Sequence, residues 1–298
     1  MASVSSAYVT FRFYTFELFL EPWLLILLSI FIVFLNAVSL TLYSRRSFES
    51  SPRFGMTFAL LSTHIVYACL NVLSYGCLAL PERISMKIRQ SPQEIMIIVT
   101  VIQLSQQLVS VSSALMALDR VLIMAFSIKY TTHVLSSKLA ILATSINASL
   151  LVIPVICCFV LSKNDFVGKL LVILRYYVFC PTLLIEVLLY VVFILQFRRY
   201  RKCRINAIIK QLTTQRNQIV IFQMTSHTIL CALPNAITAL EWFFNTNEGI
   251  QTWVELFLQP YRSLLFATSV LLSSGFTLYK LKPRRNFVII PVSRVDSG

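Results

Sequence analysis

The stretch IMIIVTVIQLSQQLVSVSSALMAL, residues Ile95–Leu118, decides the fold together with the charged pair Asp119-Arg120 that follows it. The stretch is mostly apolar, and as a helix it is long enough to cross the roughly 30 Å hydrocarbon core of a bilayer. A charged pair is costly inside the bilayer and ordinary at its edge. The sequence therefore predicts a transmembrane helix whose membrane edge lies at Asp119-Arg120.

Six further apolar stretches of comparable length flank this one. The chain is 57% hydrophobic and only 13% charged, whereas soluble domains are about 25% charged. Only a helix satisfies all its backbone polar groups within one lipid-exposed segment. We therefore predict an all-α membrane protein, a bundle of seven transmembrane helices at Pro22–Tyr43, Met56–Leu80, Ile95–Leu118, Leu139–Leu161, Leu170–Phe197, Ile219–Phe244 and Trp253–Tyr279.

The lysines and arginines between these stretches predict the orientation of the bundle. Eighteen of them lie on the side that carries Asp119-Arg120, and six lie on the other side. Cytoplasmic loops carry such an excess of Lys and Arg, so we expect the N-terminus outside the cell and the C-terminus inside. The predicted parts of the chain are an extracellular N-terminus over 1–21, the bundle over 22–279 and a cytoplasmic tail over 280–298.

The composition and the motifs argue against several other functions. The net charge of +14 comes from short basic runs between apolar stretches, not from a basic surface interleaved with aromatic residues. None of the seven cysteines has zinc-ligand spacing. The chain also shows no nucleophile elbow, no histidine-rich cluster and no pair of intramembrane aspartates. We expect no nucleic-acid partner, no metal, no cofactor and no enzymatic activity.

The third stretch carries an unusual stripe of polar side chains. These residues recur at helical spacing and so share one face, which should point into the bundle. Two interpretations of the outer glutamines stay open: hydrogen bonding between helices, worth about 0.6 kcal/mol per contact, or contact with a ligand. Ser113 lies deeper and is assigned to hydrogen bonding between helices. The stripe consists of Gln103, Gln106, Gln107, Ser110 and Ser113.

Asp119-Arg120 can be interpreted as a latch. The carboxylate would hold the guanidinium in one state and release it in another, and such a bistable ion pair is the local element that a switch needs. The alternative is a charged flank that only marks the membrane edge. The dipeptide alone does not distinguish these interpretations.

The residues that follow Asp119-Arg120 carry a family resemblance. The run Asp119-Arg120-Val121-Leu122-Ile123-Met124-Ala125-Phe126-Ser127-Ile128-Lys129-Tyr130 resembles the end of the third helix and the second inner loop of rhodopsin-like G-protein-coupled receptors. That family has Asp-Arg-Tyr, six residues, then Leu-Arg-Tyr, and the register is kept here without a gap. Val121 stands in place of the family's Tyr, and Ser127 replaces its loop Pro.

Further family positions match in part. Asn36 and Pro52 keep the family's spacing between the first-helix Asn and the Pro that opens the second helix. Pro181 matches the fifth-helix Pro, and Cys231-Ala232-Leu233-Pro234 resembles the sixth-helix Cys-Trp-x-Pro. A proline frees a carbonyl and kinks a helix, so Pro181 and Pro234 are predicted bend points. Packing irregularity without a role in activation is the alternative.

Other positions depart from the family pattern. The seventh helix ends Ser273-Ser274-Gly275-Phe276-Thr277-Leu278-Tyr279, without the family's Asn-Pro-x-x-Tyr. His64 falls where the second-helix sodium-site Asp would be, and the usual external disulfide has no cysteines. This mixture is similar to the nematode chemosensory serpentine receptors, with class BC as the nearest class.

The resemblance implies a chemosensory receptor in the plasma membrane of a sensory neuron, in its cilium. Such a receptor detects an environmental small molecule or peptide from outside and activates a heterotrimeric G protein. The residues assigned to coupling and switching are Asp119, Arg120, Lys129, Tyr130, Arg198 and Arg199.

Two alternatives accompany this assignment. The basic loop 198–218 can dock a G protein, or it can serve only as the orientation signal and attract anionic membrane lipid. A ligand-gated channel or transporter subunit is the alternative function for the whole chain. A transporter should show broken spans paired between two related halves, and the sequence shows no such symmetry.

The remaining predicted site residues lie at the outer side and centre of the bundle. Glu186 falls near the middle of the fifth span, where a carboxylate is costly unless protonated or paired. Arg175 is three turns away and cannot pair with it, so we predict a functional or switching role for Glu186, whereas His227 is expected to be a hydrogen-bonding core residue. The predicted ligand pocket consists of Gln103, Gln106, Gln107, Arg175 and Asn235, with Glu241 and Arg262 at its rim. The alternative for Glu241 and Arg262 is a structural role, in which these long side chains near helix ends only reach water.

Overall fold

The chain folds as a set of long helices. The structure, a computed structural model, describes residues 20–47, 55–79, 92–125, 135–160, 180–202, 207–237 and 261–281. These residues are helical apart from turns at the helix ends, and this part of the chain contains no strand. The helices are α1 Glu21–Ser47, α2 Gly55–Leu78, α3 Pro92–Ala125, α4 Leu135–Val160, α5 Cys180–Lys202, α6 Ala207–His227 and α7 Arg262–Leu281.

Seven helices are long and apolar enough to cross a membrane, as predicted. The distribution of side chains also fits an apolar solvent. Phe34, Leu73 and Ile141 are exposed on the outside of the bundle, whereas Ser105 and Ser112 are fully buried. A water-soluble protein would bury its large hydrophobic side chains and expose its polar ones. The chain is therefore a multi-pass membrane protein by the criteria of helix length, composition and surface.

Helix α3 occupies the centre of the bundle. It packs against α2, α4 and α5 and touches α6, while α1 packs between α2 and α7, and α7 packs against α6. Helices α2 and α3 run in opposite directions, because the end of α3 meets the start of α2, and α6 and α7 do so because the end of α7 meets the start of the sixth span. We call the side of the bundle where α3 ends the Arg120 end, and the other side the opposite end.

Helix α3 extends beyond the predicted third span. The span was predicted to end at Leu118 with the membrane edge at Asp119-Arg120, and the α-helix itself continues to Ala125. The Asp119 side chain is fully buried and Arg120 is only 6% exposed. The helix continues because it packs against α2 and α4 over its final turns, so that the charged pair is enclosed by protein.

The helical backbone also extends into the basic segment 198–218. Helix α5 continues to Lys202 and α6 begins at Ala207, as expected for helical extensions of the fifth and sixth spans. The predicted start of the fifth span at Leu170 lies outside the described residues.

Glycine at position 55 allows α2 and α4 to start in close contact. A Cβ atom placed on Gly55 would lie 2.9 Å from the Cα atom of Ser137, which is closer than real Cβ atoms approach backbone. The neighbouring Met56 N–H donates to Ser136 Oγ at 3.4 Å. This contact fixes the first turn of α2, which also carries a hydrogen-bond partner of Arg120.

Candidate functional site

Asp119 and Arg120 form a buried polar contact at the Arg120 end. Arg120 Nε lies 3.7 Å from Asp119 Oδ2, and Arg120 Nη2 donates to Thr57 Oγ1 at 3.3 Å. The guanidinium therefore bridges its own helix and the first turn of α2. Both side chains are enclosed at the end of the bundle, so a rearrangement that breaks the contact with Thr57 would change the packing of α2 on α3.

The other predicted coupling residues are placed only in part. Arg198 and Arg199 lie on the last turns of α5 and are exposed, as a docking surface would require. Lys129 and Tyr130 lie outside the described residues. The structure thus brings Asp119 and Arg120 together with Thr57, while the predicted contribution of the following loop is not described.

A second contact at this end joins α6 to α7. Lys280 Nζ donates to Gln218 Oε1 at 2.9 Å, and the ammonium group lies over the rings of Phe276 and Tyr279 at 5.3 and 5.7 Å. One turn deeper, Gln223 Nε2 donates to Thr277 Oγ1 at 3.3 Å. The sequence prediction missed these contacts, although the sequence shows Lys280 directly after the last apolar stretch.

Polar residues also join α1, α2 and α7 in the interior. Asn36 Nδ2 donates to Ser274 Oγ at 2.8 Å and to the Ile32 carbonyl at 2.7 Å. Ser274 Oγ lies 3.5 Å from His64 Nδ1. His64 therefore belongs to a buried group of polar side chains with Asn36 and Ser274. Among the described residues, no group of three or more His, Cys, Asp or Glu side chains is placed to hold a metal ion.

Polar residues of α3 beside the predicted stripe bind helices together. Ser112, one residue before the predicted stripe member Ser113, lies 3.0 Å from Thr63 Oγ1 on α2 and accepts a hydrogen bond from Asn147 of α4 at 2.8 Å. Ser105 donates to Asn71 Oδ1 at 3.3 Å. Ser105 and Ser112 are not members of the predicted stripe, so these contacts leave both interpretations of the stripe open.

Glu186 is fully enclosed at the centre of the bundle. The carboxylate is 1% exposed, and its Oε1 atom lies 3.1 Å from His227 Nδ1 on α6. Tyr190, one turn further along α5, donates its hydroxyl proton to the same oxygen. The His227 ring also meets the edge of the Phe266 ring, with centroids 5.6 Å apart and an interplanar angle of 81°. Glu186 therefore has a partner on the neighbouring helix, and α5 and α6 are joined by ionisable groups.

The sequence prediction identified Glu186 but missed its pairing with His227. His227 was interpreted only as a hydrogen-bonding core residue, and Arg175, the cation considered as a partner for Glu186, lies outside the described residues. The sequence could have indicated this pairing, because Glu186 and His227 each lie inside a span and their spans are consecutive in the chain.

The predicted pocket residues lie towards the opposite end of the bundle. Gln106 and Gln107 are buried and Gln103 is half-buried on α3. Asn235 is buried above the π turn and donates to the Cys231 carbonyl at 2.8 Å. Val109 and Cys231 belong to one apolar cluster. Since Gln106 and Asn235 lie one turn from Val109 and Cys231 towards the opposite end, they occupy the same level of the bundle.

The rim of the predicted pocket is described only at one position. Arg262 is the first residue of α7 and is half-buried. Arg175 and Glu241 lie outside the described residues. The structure therefore supports a common level for the α3 and α6 members and leaves the rim untested.

Of the two predicted bend points, the structure describes the surroundings of one. After His227 the backbone forms a π turn over Thr228–Ala232, in which the Leu233 N–H donates to the Thr228 carbonyl five residues earlier. Pro234 follows at once, and its ring lacks the N–H that a regular helix would use. Pro181 is the second residue of α5 as described, and the residues before Cys180, which a bend there would involve, lie outside the described part.

No protein-family model matches the chain, and no curated protein shows significant similarity to it.

Proposed function

We propose that the chain is a seven-helix receptor that detects a small molecule or peptide outside the cell and activates a heterotrimeric G protein. The observation that carries the proposal is the enclosed Asp119–Arg120 pair with its contact to Thr57. Enclosing a charge inside the end of a helix bundle costs free energy, and charged residues found in such places usually have a functional role. Here the charged pair links two helices at the end that carries the basic segments.

The proposal includes an orientation and a location. The Arg120 end faces the cytoplasm, because eighteen of the Lys and Arg residues lie on that side of the spans. The chain then resides in the plasma membrane, and by family resemblance in the cilium of a sensory neuron. Exposed Arg198 and Arg199 would meet the G protein at this end, and the same basic surface attracts anionic lipid.

The ligand pocket of the proposal lies between α3 and α6 at the opposite end. Gln106 and Asn235 share a level there, and their amide groups can donate and accept hydrogen bonds. Polar groups of this kind fix the orientation of a ligand in a mostly apolar site. Replacement of Gln106 by Leu removes such a group without enlarging the side chain.

The test measures basal coupling, which needs no identified ligand. The chain is expressed in cells that lack endogenous Gα subunits, each Gα class is restored in turn, and dissociation of the heterotrimer is recorded. Asp119→Asn should raise the basal signal with at least one Gα class at equal surface expression, because the guanidinium of Arg120 loses its neighbouring carboxylate. Ile141→Ala serves as the control, since this side chain is exposed on the outside of the bundle and should leave the basal signal unchanged.

Two results would contradict the proposal. One is an Asp119→Asn signal no higher than that of untransfected cells with every Gα class. The other is an ionic current that persists when all Gα subunits are absent, which favours the channel alternative. Epitope tags give an independent check of orientation: an N-terminal tag should bind antibody on intact cells, and a C-terminal tag only after permeabilisation.

A further inference from the structure

The contact between Glu186 and His227 lies in apolar surroundings. Leu183 on α5 and Cys231 on α6 belong to the same buried apolar cluster, and the Phe266 ring packs edge-to-face with the imidazole. An ionised carboxylate in such a place is strongly unfavourable unless a positive charge or a proton compensates it. The pair is therefore favourable when one proton resides on it, either as a carboxylate with an imidazolium or as a carboxylic acid with a neutral imidazole.

Several polar atoms of the pair have no other hydrogen-bond partner and can give up or take up that proton. Among the described residues, Glu186 Oε2 and both ring nitrogens of His227 are buried without a hydrogen-bond partner, so the 3.1 Å approach of Nδ1 to Oε1 is an ion-pair contact. Ser113 on α3 is a hydrogen-bond neighbour of Tyr190, which donates to Glu186. Ser110 continues the polar stripe of α3 from there towards the opposite end. The polar face of α3 thus reaches the pair through Ser113 and Tyr190.

The backbone next to His227 departs from a regular α-helix. The π turn Thr228–Ala232 starts at the following residue, and Pro234 lies just beyond it. Such π turns inside α-helices interrupt the regular hydrogen-bond pattern and are frequent at functional sites. The segment of α6 that carries His227 can therefore change its direction relative to the segment beyond the turn.

We propose that Glu186 and His227 form a proton-dependent clamp between α5 and α6. While the pair holds one proton, the two helices stay together. When the proton passes to water that enters between them, the clamp opens and the Arg120 end of α6 moves away from α5 about the π turn.

The direction of the pH dependence follows from counting protons. A glutamate and a histidine separated in water hold no proton between them above about pH 6.5, the ordinary pKa of histidine. The closed clamp holds one, so opening releases one proton in that range. Raising the pH should therefore favour the open form by up to about tenfold per pH unit. Below about pH 6.5 the exposed histidine keeps its proton as well, and the dependence should level off.

Three other titratable side chains face the pair in the described part of the chain. Tyr190 lies on α5, Cys231 lies on α6, and His64 of α2 is an electrostatic neighbour of His227. The neighbours on α3 and α7, Ser113 and Phe266, do not titrate. A positive charge on His64 would oppose one on His227, so His64→Gln should keep the pH dependence, whereas loss of Glu186 or His227 should abolish it.

The experiment measures the separation of the two helices directly. Spin-labelled noncanonical residues replace the exposed Arg198 on α5 and the exposed Gln218 on α6, since the chain has seven native cysteines. Distances between the labels are recorded by pulsed electron resonance in nanodiscs at about pH 6 and about pH 8. The distance between the labels in the parent chain should increase at the higher pH. The Glu186→Gln variant should give the same distance distribution at both pH values.

Either of two results would overturn the clamp: no pH shift in the labelled parent chain, or the same shift in Glu186→Gln as in the parent. If Glu186→Gln does not fold, His227→Gln removes the other titratable partner and takes its place under the same criteria. The role of the clamp in signalling rests on the proposed function, but the distance measurement uses no G protein. A pH-dependent distance without coupling would refute only the receptor, and coupling without a pH-dependent distance would refute only the clamp.

Discussion

A double-mutant cycle on Glu186 and His227 should reveal strong energetic coupling between α5 and α6. Two opposite unit charges at the observed 3.1 Å attract by about 5 kcal/mol at an effective dielectric constant of about 20. The cost of removing both groups from water offsets much of this attraction. Loss of one partner is expected to cost about 3–5 kcal/mol because the other stays buried without compensation, whereas loss of both is often close to neutral.

The variants are His227→Leu, Glu186→Leu and the double substitution. His227→Leu should be the most destabilising of the three variants. It leaves the Glu186 carboxylate buried without a compensating positive charge, while the Tyr190 hydroxyl still donates to it. The double variant should be more stable than His227→Leu alone, since the carboxylate is gone. Leu184→Ala on the same helix is the control: its side chain is 62% exposed to the lipid side, so the free energy of unfolding should change by less than about 0.5 kcal/mol.

The assay is equilibrium unfolding of the purified chain in mixed micelles of a mild detergent and sodium dodecyl sulfate. It yields the free energy of unfolding of each variant without any assumption about function. Costs of the two single substitutions that simply add in the double variant would refute the coupling, because additive costs are what independent sites give.

Two further predictions use the same unfolding assay. Gly55→Ala should destabilise the fold by about 1–3 kcal/mol, because its Cβ would meet the Ser137 backbone at 2.9 Å. The control Gly76→Ala, whose Cβ would have nothing within 4 Å, should stabilise the fold by about 0.5–1 kcal/mol through helix propensity. Equal effects of the two substitutions would refute the close contact of α2 and α4. Asn36→Leu should cost about 0.6–1.7 kcal/mol through the lost bond to Ser274, and a further Ser274→Ala should then cost clearly less than it does in the parent chain.

The architecture was largely predictable because it depends on patterns that lie along the chain. Long apolar stretches separated by basic runs predict membrane-crossing helices, since the bilayer demands length and apolarity of each segment separately. The same reasoning did not predict how Asp119-Arg120 is surrounded. A charge inside a span and a charge at its edge look alike in sequence, and only the packing of α3 against α2 shows that the pair is enclosed.

Some unusual residues of the candidate site could be recognised in the sequence, but their contacts could not. Glu186 stood out because a carboxylate inside a span is rare, and the glutamines of α3 stood out through their helical spacing. The pairing of Glu186 with His227 depends on the rotation of α5 and α6 about their own axes. Packing sets that rotation, and the apolar side chains on all faces of these helices give a weak sequence signal for it.

Guanine-nucleotide exchange on purified Gα, driven by the chain in nanodiscs, tests most directly whether the buried Arg120 activates a G protein. We predict that the Asp119→Asn chain accelerates exchange over empty nanodiscs, and that adding Arg120→Ala to it removes the acceleration, because the guanidinium is then absent. Equal exchange rates for the single and double variants, or rates no higher than those of empty nanodiscs for both, would contradict this role of Arg120.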